Sequence, residues 1–543
     1  MSGGDHDIHA SCGSRTGAGA SPPCRAACPL DKDVPGFLRA IGRGDTASAW
    51  QIALRDNLFP GVLGWICPRP CETACRRGSS DTPVRICGLK RWVAAAQGNG
   101  KHKVPRFAIT GPRIAIVGAG PAGLAAAHDL TVLGADVALR RPRVRTGRTA
   151  PLLHPPVPAP AEIVHEDVAR ILAMGMTFHP DTELTSLAEI RQLQADGFAA
   201  VLLALGGGSD RTPEIPGWRR DPATQTAIEY LGAVREDKVQ PSARRVLVIG
   251  GGNAALDVAR TALRRGAESA TIVYRRDWRD MRALAREVED ARSDGVRFLT
   301  HSSVTEILWD GGRLRGARIA GAGPPGPGEC NGPARKGSPR ASDAFDGEVH
   351  EADAVLSAIG QIHPLAEALA SARTGSLERE GIFCAGDFAD DPSSVADAIA
   401  SGRRASGRIL AHLSQSGLWR ASDRALDTLS SGWLDPVAGS ASSPPLPAHE
   451  ESIADALACL RCDYSLRLVA DRCVLCGDCV VRCTEQSLRW TRRPGNNAFV
   501  LAVDDSSCTR CGDCLRACPV DALQWSLWTS TNRNIGHPAS LAV

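Results

Sequence analysis

The sequence contains 543 residues, several times the usual size of one domain, so several domains with separate cores are expected. Its 63 basic and 60 acidic residues nearly cancel, and the net charge of +3 argues against an extended surface for nucleic acid or anionic membranes. The apolar runs are short or interrupted by glycine, and the N-terminus lacks a basic start followed by an apolar stretch, which predicts a cytoplasmic protein without membrane insertion.

The first part of the chain combines helical segments with clustered cysteines. Because the cytoplasm keeps thiols reduced, the 19 cysteines of the chain indicate metal binding rather than a disulfide framework. The segment VPGFLRAIGRGDTASAWQIAL shows no strand alternation and is typical of helices. This part of the chain is therefore interpreted as a small helical domain built round metal.

Two later segments each predict a short strand, a glycine turn and a helix. They are RIAIVGAGPAGLAAAHDL and RRVLVIGGGNAALDVARTAL, the typical openings of doubly wound nucleotide-binding units. The glycines let backbone approach a pyrophosphate, and the helix N-terminus offers it unpaired N–H groups. The candidate residues of the two turns are Gly118, Gly120 and Gly123, and then Gly250, Gly252, Asn253 and Ala255.

The end of the second strand in each unit indicates which nucleotide binds, because that position meets the adenosine ribose. In the second unit this strand reads ATIVYRR and ends on Arg275 and Arg276. Guanidinium groups can hold a 2′-phosphate with charge and forked donors, which favours NADP(H) over NAD(H). The alternative is a pair of solvated surface arginines.

Two cysteine runs near the C-terminus have the spacing of a bacterial two-cluster ferredoxin. In each run three closely spaced thiolates hold one four-iron cluster and the fourth reaches the other cluster. The alternative is a pair of zinc sites, but zinc sites use separated pairs of ligands. The short pair Cys459 and Cys462 before the runs is either extra ligands or plain thiols. The eight predicted ligands are Cys473, Cys476, Cys479, Cys483, Cys508, Cys511, Cys514 and Cys518.

The order of these parts, followed by GIFCAGDFADDPSSVADAIASGRRA, resembles the small subunit of glutamate synthase and its relatives. The likeness covers about residues 9–412, and the ferredoxin segment occurs in some members of that family. The resemblance implies FAD at the first glycine turn and NADPH at the second. It also implies that Gly386 and Asp387 hold the ribityl and phosphate part of the flavin.

The resemblance further implies two four-iron clusters in the N-terminal domain. His9 occupies a position where the family has cysteine, and it is either a ligand or a solvated side chain. Cys87 could supply a missing ligand. A set of zinc-bound or simply buried cysteines is the alternative. The implied ligands are Cys28, Cys67 and Cys71 for one cluster, and Cys12, Cys24 and Cys75 for the other.

The sequence departs from the family where FAD would bind. Arg141 stands where an acidic residue accepts the ribose hydroxyls, and Arg148 replaces the second residue of a glycine pair. A guanidinium carries donors and no acceptor, so it cannot replace the carboxylate.

These patterns predict a multidomain protein. It has an α-helical iron–sulfur domain, two doubly wound α/β nucleotide-binding domains, one inserted in the other, and a C-terminal α+β ferredoxin-like domain. The predicted boundaries are 1–105 for the helical domain, 106–220 with 345–415 for the FAD-binding-type domain, 221–344 for the inserted NAD(P)-binding domain, 416–455 for a linker and 456–530 for the ferredoxin domain.

The predicted function is that of an oxidoreductase subunit that transfers electrons between NADPH, a flavin and 4Fe–4S clusters. The partner would be a redox protein or a catalytic subunit, and no nucleic acid is expected. No catalytic acid or base is predicted, because the cofactors perform this chemistry. The alternatives are an electron-transfer scaffold with a degenerate flavin site and the small subunit of a glutamate synthase.

Overall fold

The computed structural model describes residues 21–79, 82–97, 104–142, 159–182, 186–235, 243–321, 347–363, 365, 376–389, 394–431, 452, 456, 459, 464–468, 472–474, 476–492, 499–503, 508 and 512–527. The chain forms two compact units. One unit comprises Met1–Pro60, Arg69–His102 and Leu434–Val543, and the other comprises Gly61–Pro68 and Lys103–Trp433.

Short helices with aspartate caps build the N-terminal part of the chain. The Asp33 carboxylate accepts a hydrogen bond from the Gly36 N–H at 2.9 Å, and Asp45 accepts one from the Ser48 N–H at 2.9 Å. Such caps satisfy N–H groups that have no partner in the first helical turn. The helices are α1 Pro23–Ala26, α2 Val34–Gly42, α3 Thr46–Asp56, α4 Pro60–Ile66, α5 Pro70–Thr73 and α6 Ile86–Gln97.

The remaining strands and helices follow in chain order. The strands are β1 Arg113–Val117, β2 Asp136–Pro142, β3 Thr177–Thr182, β4 Ala200–Leu203, β5 Ser209–Asp210, β6 Thr224–Thr226, β7 Arg245–Ile249, β8 Ser269–Val273, β9 Arg297–Leu299, β10 Ser302–Asp310, β11 Arg313–Gly321, β12 Glu348–Glu351, β13 Ala354–Ser357, β14 Gln361–Ile362, β15 Ile382–Cys384, β16 Tyr464–Leu468, β17 Leu488–Arg492, β18 Phe499–Val503 and β19 Leu523–Leu527. The helices are α7 Pro121–Val132, α8 Ala161–Leu172, α9 Leu187–Ala195, α10 Ala227–Arg235, α11 Asn253–Arg264, α12 Ala285–Ser293, α13 Ser376–Arg379, α14 Val395–Gln415, α15 Asp423–Ser431, α16 Asp478–Val481 and α17 Asp513–Arg516.

The first sheet is parallel throughout, with the strand order β15-β4-β1-β2-β3. Strand β1 is buried from Ile114 to Val117, which is typical of a strand covered on both faces. Helix α14 packs closely on α7, because Gly402 brings its backbone against Ala122: a Cβ atom at Gly402 would lie 3.0 Å from the Ala122 Cα.

A second parallel sheet has the order β6-β13-β7-β8-β9, and its strands lie in sequence between β4 and β15. A three-stranded antiparallel sheet, β10-β11-β12, belongs to the same stretch of chain. Strands β5 and β14 pair antiparallel, with Gln361 opposite Asp210, where the chain leaves the first sheet and returns to it. The predicted parallel α/β units are therefore confirmed, whereas the domain boundaries stay predictions.

The C-terminal part consists of two antiparallel pairs, β16 with β19 and β17 with β18, and the short helices α16 and α17. Each helix follows a glycine with left-handed backbone, Gly477 with φ 84° and Gly512 with φ 80°. The matching elements indicate an internal repeat, and the α+β ferredoxin-like assignment stays a prediction. In the described part of the chain, no helix combines the length and apolar character required to cross a membrane.

Candidate nucleotide and iron–sulfur sites

The first glycine turn connects β1 to α7, and each of its glycines has its own role. Gly118 has φ 121°, and a Cβ there would lie 2.5 Å from the Ala204 carbonyl carbon; a Cβ at Gly123 would lie 2.9 Å from the carbonyl carbon of Gly118. Both positions therefore require glycine for the fold. Around Gly120 no atom lies within 4 Å of a Cβ position, although the residue caps α7. This open side is where a pyrophosphate can meet the helix N-terminus.

Gly386 joins this turn from the end of β15. Its φ is 68°, its N–H donates to the Ser401 hydroxyl at 2.9 Å, and a Cβ there would lie 2.9 Å from the Ala122 Cβ. Asp387 follows as an exposed side chain. The structure thus brings Gly386 and Asp387 to the same sheet edge as the first glycine turn, which is where the resemblance expects the flavin.

Arg141 lies at the end of β2, beside the same turn. The Gly118 N–H donates to the carbonyl of Arg140 at 2.8 Å, which joins this end of β2 to the glycine turn. The Arg141 guanidinium carbon is 5.9 Å from the centre of the Phe178 ring. The backbone cradle therefore fits a dinucleotide, but the ribose edge carries a cation instead of an acceptor. Arg148 lies outside the described residues.

The second glycine turn repeats the pattern between β7 and α11. Gly250 has φ 143°, and a Cβ there would lie 2.9 Å from the Ala358 carbonyl carbon, whereas Gly252 has no atom within 4 Å of a Cβ position. The Asn253 side-chain oxygen accepts a hydrogen bond from the Leu284 N–H at 3.1 Å, and Ala255 is fully buried in the helix. Gly252 therefore faces the space available to a second nucleotide.

Tyr274, between β8 and the two arginines, closes one side of this turn and was not predicted. A Cβ at Gly251 would lie 2.9 Å from the Tyr274 Cζ and closer still to Cδ2 and Cε2 of that ring, and the Tyr274 hydroxyl donates to the Asp280 carbonyl at 2.8 Å. Arg275 and Arg276 are exposed, and the ion pairs found among the described residues do not involve them. The middle glycine of GGGN was the available sequence signal for this close neighbour.

A pair of carboxyl groups on α11 and α12 was also missed. Burial and, to a smaller extent, the nearby charge of Glu287 together raise the pKa of Asp257 to about 7. Arg260 and Arg264 act in the opposite direction. Burial also raises the pKa of Glu287. A carboxyl group that titrates near neutrality therefore lies on the helix that follows the second glycine turn.

The C-terminal cysteines occupy equivalent places in the two halves of their repeat. The Ser487 N–H donates to the Cys483 sulfur at 3.2 Å, and the Ala522 N–H donates to the Cys518 sulfur at 3.2 Å. Hydrogen bonds of this kind stabilise anionic sulfur and tune cluster potentials. Cys511 and Cys462 lie outside the described residues.

Within the first run the thiols lie close together and range from buried to exposed. Cys479 is buried and Cys476 is exposed. Burial raises the pKa of the Cys479 thiol, and the neighbouring thiols of Cys476 and Cys473 raise it further. In the second run Cys514 is buried and Cys508 and Cys518 are half-buried. This donor set fits iron–sulfur clusters, to which cysteine binds as the deprotonated thiolate.

In the N-terminal part, the packing of α1 on α5 brings Cys24 and Cys75 to one pocket. Cys71 and Cys87 are buried, and the Cys87 N–H donates to the Glu72 carboxylate at 2.8 Å. Cys28 and Cys67 are half-buried. Cys12 and His9 lie outside the described residues.

Lys32 is buried near Cys28 and was not predicted as part of a site. Its ammonium lies 4.2 Å from the centre of the Phe37 ring. Burial lowers its pKa to about 8, while the charges of Asp56 and Cys28 act in the opposite direction. A buried cation is therefore present beside one of the predicted cluster ligands.

Among the described residues, no three His, Cys, Asp or Glu side chains are grouped closely enough for one metal ion. A four-iron cluster requires a wider arrangement, because each thiolate binds a different iron atom.

Three protein-family models match the chain. The pyridine nucleotide-disulphide oxidoreductase model matches residues 112–402. The model for dihydropyrimidine dehydrogenase domain II, 4Fe-4S cluster, matches residues 9–101, and a 4Fe-4S dicluster domain matches residues 472–522. These matches confirm the predicted 4Fe–4S domains at both ends of the chain and the FAD/NAD(P)-binding domain between them.

Curated relatives agree with these matches. The chain is 29% identical over 455 residues to the NADP(+)-dependent formate dehydrogenase subunit beta of Moorella thermoacetica, which covers 76% of this chain and 62% of the relative. It is 31% identical over 411 residues to the putative oxidoreductase YgfK of Escherichia coli strain K12, and the match covers 72% of this chain and 38% of that relative. It is 28% identical over 429 residues to the glutamate synthase [NADPH] small chain of Azospirillum brasilense, and the match covers 72% of this chain and 86% of that relative. The resemblance to the glutamate synthase small subunit is thereby confirmed, and the chain spans 62% and 38% of the length of the first two relatives.

Proposed function

Because the chain belongs to the pyridine nucleotide-disulphide oxidoreductase family, we propose that it is an electron-input subunit that oxidises NADPH and passes the electrons through 4Fe–4S clusters to a partner protein. The observation that carries this proposal is the second glycine turn, open at Gly252 and followed by two exposed arginines. A dinucleotide would lie against the helix start, and the arginines would hold its 2′-phosphate.

The residues of this chain would bind and orient the cofactors. Gly120 and Gly386 leave backbone room for a flavin dinucleotide, and the cysteines of both ends would hold the clusters. A flavin supplies the conversion of a two-electron donor into single electrons that clusters accept. The partner is proposed because three of the relatives carry names of subunits or chains, among them the NADPH-Fe(3+) oxidoreductase subunit beta of Geobacter sulfurreducens.

The test replaces the two arginines by glutamine and compares NADPH with NADH as donors for dye reduction under anaerobic conditions. Hydrogen bonds to a charged group are worth about 1.5–3 kcal/mol, so each replacement should raise the KM for NADPH by about 10- to 100-fold and leave that for NADH nearly unchanged. Arg315→Gln is the matched control, since Arg315 is an exposed arginine on β11 of the same inserted unit. Equal loss with both nucleotides, or the same loss in the control, would contradict the proposed role.

A second candidate, an electron-transfer scaffold without flavin, is favoured by the position of Arg141 beside the first glycine turn. The two candidates differ in flavin content. Anaerobic purification followed by flavin and iron assays on the same sample separates them: stoichiometric FAD supports the NADPH-oxidising subunit, and full iron with no FAD supports the scaffold. Where the native chain holds less than one FAD, Arg141→Glu should raise FAD retention, because it restores an acceptor at the ribose edge.

A further inference from the structure

A pocket in the N-terminal and C-terminal unit is lined by three cysteines from distant parts of the sequence. Cys24 lies in α1, Cys75 follows α5, and Cys459 precedes the first ferredoxin-type run. The pocket is partly open to solvent, and its cavity volume is about 20 Å³. Three cysteines that line one space offer a thiolate donor set, the type that selects iron–sulfur clusters or zinc.

The other residues of the pocket suit an anionic cluster. Arg76 and Arg77 belong to its lining, and their positive charge favours thiolates and the negative charge of a thiolate-bound cluster. Val34, Leu38 and Ile86 supply an apolar wall, which limits access of water to bound metal. Positive charge and an apolar wall are therefore combined in the space that the three cysteines line.

The spacing around Cys459 also indicates ligation. Cys459 begins a C-x-x-C sequence, CLRC, a spacing that recurs in thiolate ligand sets for metals. The sequence alone left open whether this thiol is a ligand or an ordinary side chain. The pocket places it with two cysteines that the resemblance already assigns to one cluster.

We propose that Cys459 is a ligand of the N-terminal cluster held by Cys24 and Cys75. On binding, each thiol loses one proton and forms one bond from sulfur to a separate iron, with no change in oxidation state. The cluster would then take ligands from both ends of the chain and tie the ferredoxin segment to the N-terminal helices. This inference rests on the proposed iron–sulfur function.

The experiment uses the full-length chain, prepared anaerobically, and two variants of the same position. Cys459→Ala should lower iron and acid-labile sulfide per chain and remove or alter one cluster signal in electron paramagnetic resonance spectra of the dithionite-reduced protein. Cys459→His should retain more iron than Cys459→Ala, with a shifted potential for that cluster, because imidazole can replace a thiolate. Cys384→Ala is the control, since Cys384 is a buried thiol in β15 whose pKa is raised by burial to about 12.

The outcomes separate this inference from the proposed function. Native iron content and spectra in Cys459→Ala, with full iron in the unaltered chain, would overturn the ligand assignment alone. Equal iron loss in Cys459→Ala and Cys384→Ala would also overturn it, since it would reflect general instability. A native chain that binds zinc and no iron would overturn the proposed function as well.

Discussion

The two kinds of glycine in the second turn should respond to substitution in opposite ways. Gly252 has φ −101° and ψ 176°, an extended conformation open to any residue, and a Cβ there has no atom within 4 Å. Gly252→Val should therefore fold normally. Its side chain would occupy the space available to the pyrophosphate and would prevent contact with the backbone N–H groups at the start of α11.

Gly250→Ala should instead damage the fold. At φ 143° a side chain is strained, and a conformation of this kind costs on the order of 1–3 kcal/mol. The new Cβ would lie 2.9 Å from the Ala358 carbonyl carbon and closer still to its oxygen, so β13 and the turn would have to separate. The combined cost should exceed about 3 kcal/mol, a large part of the stability of an ordinary domain.

Thermal unfolding and NADPH titration on the full-length chain measure both effects. Gly252→Val should keep the native midpoint and weaken NADPH binding by about 10- to 100-fold, equivalent to the loss of one or two charge-assisted hydrogen bonds of about 1.5–3 kcal/mol. Gly250→Ala should lower the midpoint. Native NADPH affinity in Gly252→Val, or native stability in Gly250→Ala, would refute this account of the turn.

Two further predictions concern buried charges. The folded chain keeps the Asp257 proton up to about pH 7 while the unfolded chain loses it near 3.8, so the free energy of unfolding should fall by about 4 kcal/mol as pH rises from about 4 to 7. Asp257→Asn should remove this fall and should be more stable than the native chain at pH 8 by up to that amount, measured by urea midpoints. Glu289→Gln on the exposed face of α12 should not have this effect. Replacing Lys32 by methionine removes a buried positive charge near Cys28. At an effective dielectric of about 20, loss of a nearby unit charge should lower the potential of a cluster held by Cys28 by on the order of 100 mV, measured by redox titration. Arg91→Met at an exposed site should change that potential much less.

The features that could be predicted from the sequence are those formed by residues that are close together in the chain. The glycine turns were predictable because strand, turn and helix are contiguous, so the segments around Gly118 and Gly250 indicate their own geometry. The contact of Tyr274 with Gly251 depends on the end of β8 lying beside the turn, which no local pattern encodes. The placement of Cys459 and Cys24 in one pocket likewise depends on tertiary packing and not on their spacing in the sequence.

Burial of individual side chains is the second feature that could not be predicted from the sequence. Asp257 reads as an ordinary helix carboxylate, and its raised pKa arises from the cover provided by α12 and from the neighbouring Glu287. The departure at Arg141 was visible in the sequence, whereas its stacking on Phe178 required the register of β2 against β3.

The position of the second α/β unit, between β4 and β15, has a consequence for the order of folding. Strand β15 supplies the last edge of the first sheet, and its residues leave the ribosome only after the whole of the interrupting stretch has been made. Until then one edge of β4 has no strand partner, and its apolar side chains Val201, Leu202 and Leu203, which are buried in the folded protein, lie at that open edge. A nascent or truncated chain that stops short of Ile382 would expose that edge to other chains, so premature termination in this region favours aggregation over a shorter working enzyme.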